Sequence, residues 1–124
     1  MAIDPTGADL QRLLAEDPGG PVVMLNLLRF APGGRAAYEE YSRAVGKTFL
    51  PRYGGEVVYS GTGDSPLVAG DGQAWDAVLL VRYPSREAFC RMVADPEYQA
   101  VTALRREALA EAVLQPTSPG PVTR

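Results

Sequence analysis

Two stretches of this chain are apolar at every consecutive position, residues 22–25 (Val-Val-Met-Leu) and residues 77–81 (Ala-Val-Leu-Leu-Val). A strand with one face on a core and the other in water alternates apolar and polar residues, because successive side chains point to opposite faces. Neither run alternates, so the sheet they build needs cover on both sides. Leaving such side chains in water forgoes ~1.5–3 kcal/mol each, and together they form a patch large enough to drive association. Helices of the same chain can cover one face. For the other, the simplest cover is a second copy related by a two-fold axis, a homodimer. The alternative is a leading helix and a C-terminal tail folded across it.

The spacing of apolar residues supplies the helices. Residues 8–16 place Leu10, Leu13 and Leu14 at helical intervals, and Asp17-Pro18-Gly19-Gly20 ends that helix. Residues 21–30 read as a strand, broken by Ala31-Pro32-Gly33-Gly34. From Arg35 to about Pro51, Tyr38, Tyr41, Val45 and Phe49 recur along one helix face. Tyr53-Gly54-Gly55 turns the chain into a second strand over residues 56–60, and an excursion over residues 61–73 has strand character at 66–69. Residues 75–83 form the third strand. Ser85 caps a helix that turns Phe89, Met92 and Val93 inward, and Asp95-Pro96 caps another that runs through Ala110. A short last strand over residues 111–115 precedes a Pro-rich tail, residues 116–124, expected to be mobile.

Without the leading helix the order is β-α-β-β-α-β, the ferredoxin-like pattern of an α+β fold with an antiparallel sheet. Within it, strands one and three are expected to lie adjacent and parallel. The expected plan is an N-terminal helical extension over residues 1–20, one ferredoxin-like domain over 21–115, and the tail. A chain of 124 residues has room for one core.

Composition narrows function by exclusion. The chain has no histidine, which removes the usual general base at neutral pH, nucleophile–histidine pairs and nearly all zinc sites. Asp and Glu show no spacing of an oxygen-ligand loop. With a formal net charge of −3 and its basic residues scattered, the chain lacks a stripe that neutralises phosphates, so nucleic acid is not an expected partner. The glycine-rich runs at 32–34, 61–63 and 70–72 match no phosphate-binding motif and read as turns. Residues 22–28 are the longest apolar run, interrupted by Asn26 and far short of the ~20 residues of a membrane helix. The N-terminus lacks the regions of a signal peptide, and the lone Cys90 cannot form an internal disulfide. These features point to a soluble cytoplasmic protein without cofactor, metal or membrane partner.

Several polar residues stand where they can bind a ligand or merely support the fold. Asn26 interrupts an apolar strand, and a buried amide must find partners or costs ~1–3 kcal/mol. It either orients a ligand carbonyl or enol, or bonds a neighbouring loop or tyrosine. Parallel strands one and three would bring Arg29 and Arg82 together as a carboxylate clamp; the plainer reading has them reach solvent or pair with acids. Tyr38 and Tyr41 sit one turn apart and, with Tyr59 and Trp75, line an aromatic pocket or pack in the core. Tyr98 and Arg105 share a helix face with Val101, which makes Arg105 an anion anchor or an intersubunit salt bridge. Cys90, beside Phe89 and Met92, reads as an inert core thiol.

Tyr38-Glu39-Glu40-Tyr41, Tyr53-Gly54-Gly55, Tyr83-Pro84-Ser85, Asp95-Pro96-Glu97-Tyr98-Gln99 and Leu104-Arg105 together resemble the domain-of-unknown-function family 1330, of the dimeric α/β-barrel superfamily. The resemblance spans about residues 21–115 and implies a homodimeric barrel with a pocket between sheet and helices. Related families include cofactor-free monooxygenases, muconolactone isomerases, polyketide cyclases and haem-degrading enzymes. This chain differs in its leading helix, in a longer loop between strands two and three, and in carrying Arg82 where many relatives have an acid. Haem handling fits poorly without a histidine to ligate the iron. Two readings follow. One is a small-molecule pocket protein, a cofactor-independent enzyme of monooxygenase, isomerase or cyclase type acting on an aromatic or polyketide-like acid. The other is a non-catalytic ligand-binding or dimerisation domain. Any ligand the chain binds is expected to be a small carboxylate or aromatic molecule.

Overall fold

A computed structural model describes residues 3–120. It opens on helix α1 (Gly7–Ala15), whose first turn carries a reciprocal cap. Thr6 Oγ1 accepts from the Asp9 amide at 3.1 Å, and Asp9 Oδ2 accepts from the Thr6 amide at 2.8 Å. Strand β1 (Val22–Phe30) leads to helix α2 (Arg35–Ala44). Gly34, which enters α2, stands so close to the chain at Ala108 that a Cβ there would lie 2.1 Å from the Ala108 carbonyl oxygen. Only glycine fits this crossing.

The second helix continues past Ala44 through a π-helical turn (Val45–Phe49) into a last α-helical turn, α3 (Leu50–Tyr53). It outlasts the end expected at Pro51. Proline has no N–H to donate, and the wider turn just before it already breaks the regular i→i−4 ladder. Gly54, left-handed at φ 73°, closes the helix. Strands β2 (Glu56–Thr62) and β3 (Ala77–Tyr83) follow, then helices α4 (Arg86–Ala94) and α5 (Pro96–Ala108), and strand β4 (Leu109–Thr117). Ser85 Oγ caps α4 by accepting from the Ala88 amide at 3.0 Å, and Asp95 Oδ1 caps α5 by accepting from the Glu97 amide at 2.9 Å.

The sheet is antiparallel in the order β2-β3-β1-β4, and the fold is ferredoxin-like α+β. Strands β1 and β3 are neighbours as expected, but they run antiparallel, with Val22 opposite Tyr83 and Leu28 opposite Ala77. The pattern makes β1 and β2 the co-directional pair, because a helix crossover joins them, and β3 slots between them. The last strand extends two residues into the stretch expected as tail. Pro116 is tolerated there because β4 is an edge strand, and Thr117 Oγ1 donates to the Val23 carbonyl at 2.6 Å. Residues 121–124 of that tail lie outside the described residues.

Residues 66–69 form no strand. Leu67 is fully exposed and Val68 91% exposed, at the tip of a loop spanning residues 63–76. The loop is anchored at its base, where the Asp76 amide donates to the Leu28 carbonyl and Asp76 Oδ2 accepts from the Phe30 amide, both at 2.8 Å.

The helices cover one face of the sheet, and the core lies between them. It gathers Val22, Met24 and Leu28 of β1, Val81 and Tyr83 of β3, Phe89, Met92 and Val93 of α4, and Phe49 and Leu50 below α2. Helix α1 joins this same layer: Leu13 is in the core, and Arg86 Nη1 of α4 donates to the Leu13 carbonyl at 3.0 Å. The leading helix therefore does not cover the opposite face. There the register aligns Val23, Leu25 and Leu27 with Val78, Leu80 and Val113, all partly exposed.

Candidate functional site

Between the covered face of the sheet and helices α2 and α5 there remains a cavity of about 240 Å³. Met24, Asn26, Leu79, Val81 and Tyr83 form its floor, placed there by the two-residue repeat of β1 and β3. Tyr38, Tyr41 and Ser42 descend from α2. Tyr98, Thr102 and Arg105 descend from α5, at i, i+4 and i+7 on one helix face, and all three are buried. The π turn presents Val45 and Gly46 to the cavity; such turns are frequent at functional sites.

The aromatic side chains form a linked cluster. Tyr38 packs on Tyr41 with ring centres 5.5 Å apart, and Tyr98 meets Tyr41 and Phe49 edge-on at 6.3 and 5.6 Å. The Tyr41 and Tyr98 hydroxyls are hydrogen-bonded at 2.6 Å, with one donating to the other. Burial pushes the Tyr41 hydroxyl well above the ordinary phenol range, with the nearby Tyr98 adding to the shift and Arg105 opposing it. Burial likewise raises Tyr38 and Tyr83. These three phenols stay protonated at neutral pH and offer donors rather than bases.

Arg105 is the cavity's buried cationic group. It is 4% exposed. Its Nη1 donates to Asp4 Oδ1 at 2.8 Å and to the Ile3 carbonyl, while Asp4 Oδ2 accepts from Arg106 Nη1 at 3.0 Å. The other nitrogen, Nη2, is buried and has no hydrogen-bond partner among the described residues. An unsatisfied buried donor costs about 1–3 kcal/mol, more when charged. The guanidinium is thus held by the segment before α1 through Nη1, while its Nη2 is left without a partner. Among the described residues lining the cavity, the acidic and basic side chains are Asp4, Arg105 and Arg106, a formal charge of +1.

Five residues singled out from the sequence, Asn26, Tyr38, Tyr41, Tyr98 and Arg105, meet at this cavity. Asn26 makes one long hydrogen bond, Nδ2 to the Met24 carbonyl at 3.3 Å. The other three lie elsewhere. Antiparallel pairing sets Arg82 opposite Val23 near the start of β1, whereas Arg29 is near its end. Six residues of strand, about 20 Å at ~3.3 Å each, separate the two positions, so they form no clamp. Arg29 instead ties down the long loop. It pairs with Glu111 at 2.9 Å, donates through Nη2 to the Gly72 carbonyl at 2.9 Å and through Nη1 to the Ala74 carbonyl, and stacks 4.6 Å from the Trp75 ring centre. Arg82 stands 3.8 Å from Glu56. Tyr59 lies on the open face, 55% exposed, because a bulge at Val58 shifts the register of β2 and turns its ring away from the helices. Cys90 is half-buried, its thiol raised first by burial and then by Glu87.

Sequence reasoning missed Asp4, Ser42, Tyr83 and Thr102. Thr102 and Tyr83 had a usable signal, since helical and strand periodicity place them beside Tyr98 and Val81. Asp4 had none, lying 101 residues from Arg105 in a segment without periodicity.

The DUF1330 family model, a domain of unknown function, matches residues 28–115. The crystal structure of the RPA0582 protein of Rhodopseudomonas palustris, a protein of unknown function, is 33% identical. It superposes with a TM-score of 0.85 over 97% of this chain and 98% of that one. A DABB family protein with a ferredoxin-like fold from Mesorhizobium loti is 10% identical at a TM-score of 0.61, over 83% of this chain and 100% of that one. An uncharacterised NIPSNAP domain protein from Burkholderia xenovorans is 17% identical at 0.59, over 83% and 99%; these two likenesses concern the fold alone. No curated protein matches. With the family match covering most of its length and the Rhodopseudomonas structure aligned nearly end to end, the chain belongs to the DUF1330 family.

Proposed function

We propose that this protein is a cytoplasmic homodimer that binds a small aromatic or polyketide-like acid in the cavity beneath α2 and α5. On this reading it acts on that acid without a cofactor, as an isomerase, cyclase or monooxygenase would. The observation that carries the reading is the buried, unpartnered Nη2 of Arg105 beside a cluster of phenols. A carboxylate there completes the guanidinium's hydrogen bonds and neutralises the residual positive charge. The phenols donate to a carbonyl or developing enolate, and the apolar floor takes the hydrocarbon part, a usual composition for ligand sites.

Titration calorimetry with benzoate and salicylate tests the reading. Binding to the native chain should weaken about ten- to 150-fold in Arg105→Met, the worth of a charged hydrogen bond. A variant that loses stability yet binds these acids unchanged would show that Arg105 is structural.

A second reading, ligand binding without catalysis, is favoured by one feature. Tyr38, Tyr41 and Tyr83 are held neutral, and the carboxylate of Asp4 is committed to two arginines, so none of these is poised as a base. Hydrogen–deuterium exchange at the acidic carbon of a bound β-keto acid separates the two. Exchange faster than in buffer supports catalysis, and binding without exchange supports the second reading.

A further inference from the structure

A second cavity, of about 280 Å³, adjoins the first. It lies under α1, toward the β4 edge of the sheet. Met24, Phe89 and Leu114 belong to the walls of both cavities, and so do Asp4 and Pro5 of the segment before α1. The shared wall is therefore an apolar floor contributed by β1, α4 and β4, crossed by a strap of two residues. Beyond the strap the second cavity is lined by Leu10, Leu13 and Ala112. Its ionic groups other than the exposed Glu16 are engaged already. Asp9 is used in the α1 cap and pairs with Arg12 at 3.3 Å. Arg86 donates to the Leu13 carbonyl and stands 3.8 Å from Asp17. The second cavity thus has apolar surface and no buried unpartnered cation, while the first is lined by Arg105, whose buried Nη2 has no partner among the described residues.

We propose that the two cavities form one elongated site for a monocarboxylic acid with an extended apolar body. The carboxylate sits on Arg105 Nη2. The body runs over Met24, Phe89 and Leu114 beneath the Asp4–Pro5 strap, and the apolar end lies among Leu10, Leu13 and Ala112. The charges fix both orientation and valence: the head must go where the guanidinium lacks a partner, and the residual +1 of the Asp4–Arg105–Arg106 group matches a single negative charge. This inference rests on the carboxylate reading above and adds the length and shape of the ligand.

Calorimetry with straight-chain saturated monocarboxylates of four to twelve carbons, below their micellar concentrations, tests it on the full chain. Each added methylene that reaches the second cavity should tighten binding about fourfold, the worth of a buried CH₂. Ala112→Trp, which fills the second cavity, should abolish the gain for long acids and leave benzoate binding unchanged. Leu10→Glu, a change compatible with helix α1, should weaken long acids selectively and guards against a misfolded Ala112 variant. Affinity that stays flat with chain length while benzoate still binds in an Arg105-dependent way overturns the elongated site alone. So does a chain-length gain that survives both variants. Failure of every acid, benzoate included, overturns the carboxylate reading on which it rests.

Discussion

In the Tyr41–Tyr98 pair, one hydroxyl proton lies between the two oxygens and the other is left over for a ligand. Tyr41→Phe removes the bridge and leaves the Tyr98 hydroxyl short of a partner. We expect a stability loss of about 1 kcal/mol by urea denaturation and weaker binding of an aromatic acid, while an unchanged affinity would remove the phenols from the site. The same cluster sets an alkaline limit. Tyr38, Tyr41 and Tyr83 resist ionisation when folded because burial raises them, whereas in the unfolded chain they ionise near ~10. Their contribution is therefore complete below pH ~10 and fades as the pH rises beyond it.

Asp95 is where three elements are tied together. Its carboxylate caps α5, accepts from the Tyr53 hydroxyl at 2.6 Å and accepts from Arg52 Nη1 at 2.8 Å, both at the end of α3. The Tyr53 hydrogen bond, followed by that of Arg52, lowers its pKa to about 2. The unfolded value is ~3.9, so the stabilisation is present above that pH and is lost as the pH falls from ~5 toward 2. Melting temperatures of the native chain and Asp95→Asn should differ at pH 7 and converge near pH 2; a constant difference would mean that charge plays no part. Gly34→Ala tests the crossing of α2 over the chain at Ala108. The Cβ would meet a backbone carbonyl that no rotamer change can move aside, and a loss above about 2 kcal/mol is expected; neutrality would show that the helix can shift.

Elements with their own chemical punctuation were legible in the sequence. Ser85 and Asp95-Pro96 marked α4 and α5, and Tyr53-Gly54-Gly55 marked the turn into β2, although the helix before it was expected to end at Pro51. The β-α-β-β-α-β order emerged from apolar periodicity together with these breaks and caps. The direction of β3 against β1 was not legible in either short strand, because apolar residues on both faces suit either direction and only the crossover between β1 and β2 decides it. The π turn left no mark beyond Pro51, and the bulge that turns Tyr59 outward left none. For the site, helical spacing brought Tyr38 with Tyr41 and Tyr98 with Arg105. Asp4 and the second cavity arise from contacts between distant segments, which no local pattern encodes.

At the scale of the whole molecule, the open sheet face presents a strip of partly exposed apolar side chains. Val23, Leu25 and Leu27 stand beside Val78, Leu80 and Val113 with no described helix over them. Ion pairs flank this strip, Arg29 with Glu111 and Arg82 with Glu56, giving the apolar centre and polar rim of a protein interface. Light scattering should give twice the chain mass at micromolar concentration, and Leu27→Glu at the centre of the strip should halve it. A native chain that scatters as a monomer would contradict the proposed homodimer.

No described helix is long and apolar enough to cross a membrane, and among the described residues no three carboxylate or cysteine side chains gather as metal ligands would. What distinguishes the molecule is a buried guanidinium bound by its own chain through Nη1 and unpartnered at Nη2. The most direct measurement is a crystal structure of the protein soaked with salicylate. The account predicts a carboxylate oxygen about 3 Å from Arg105 Nη2 with the ring over Leu79 and Val81. A cavity closed by its own side chains, with salicylate absent or bound elsewhere, would contradict it.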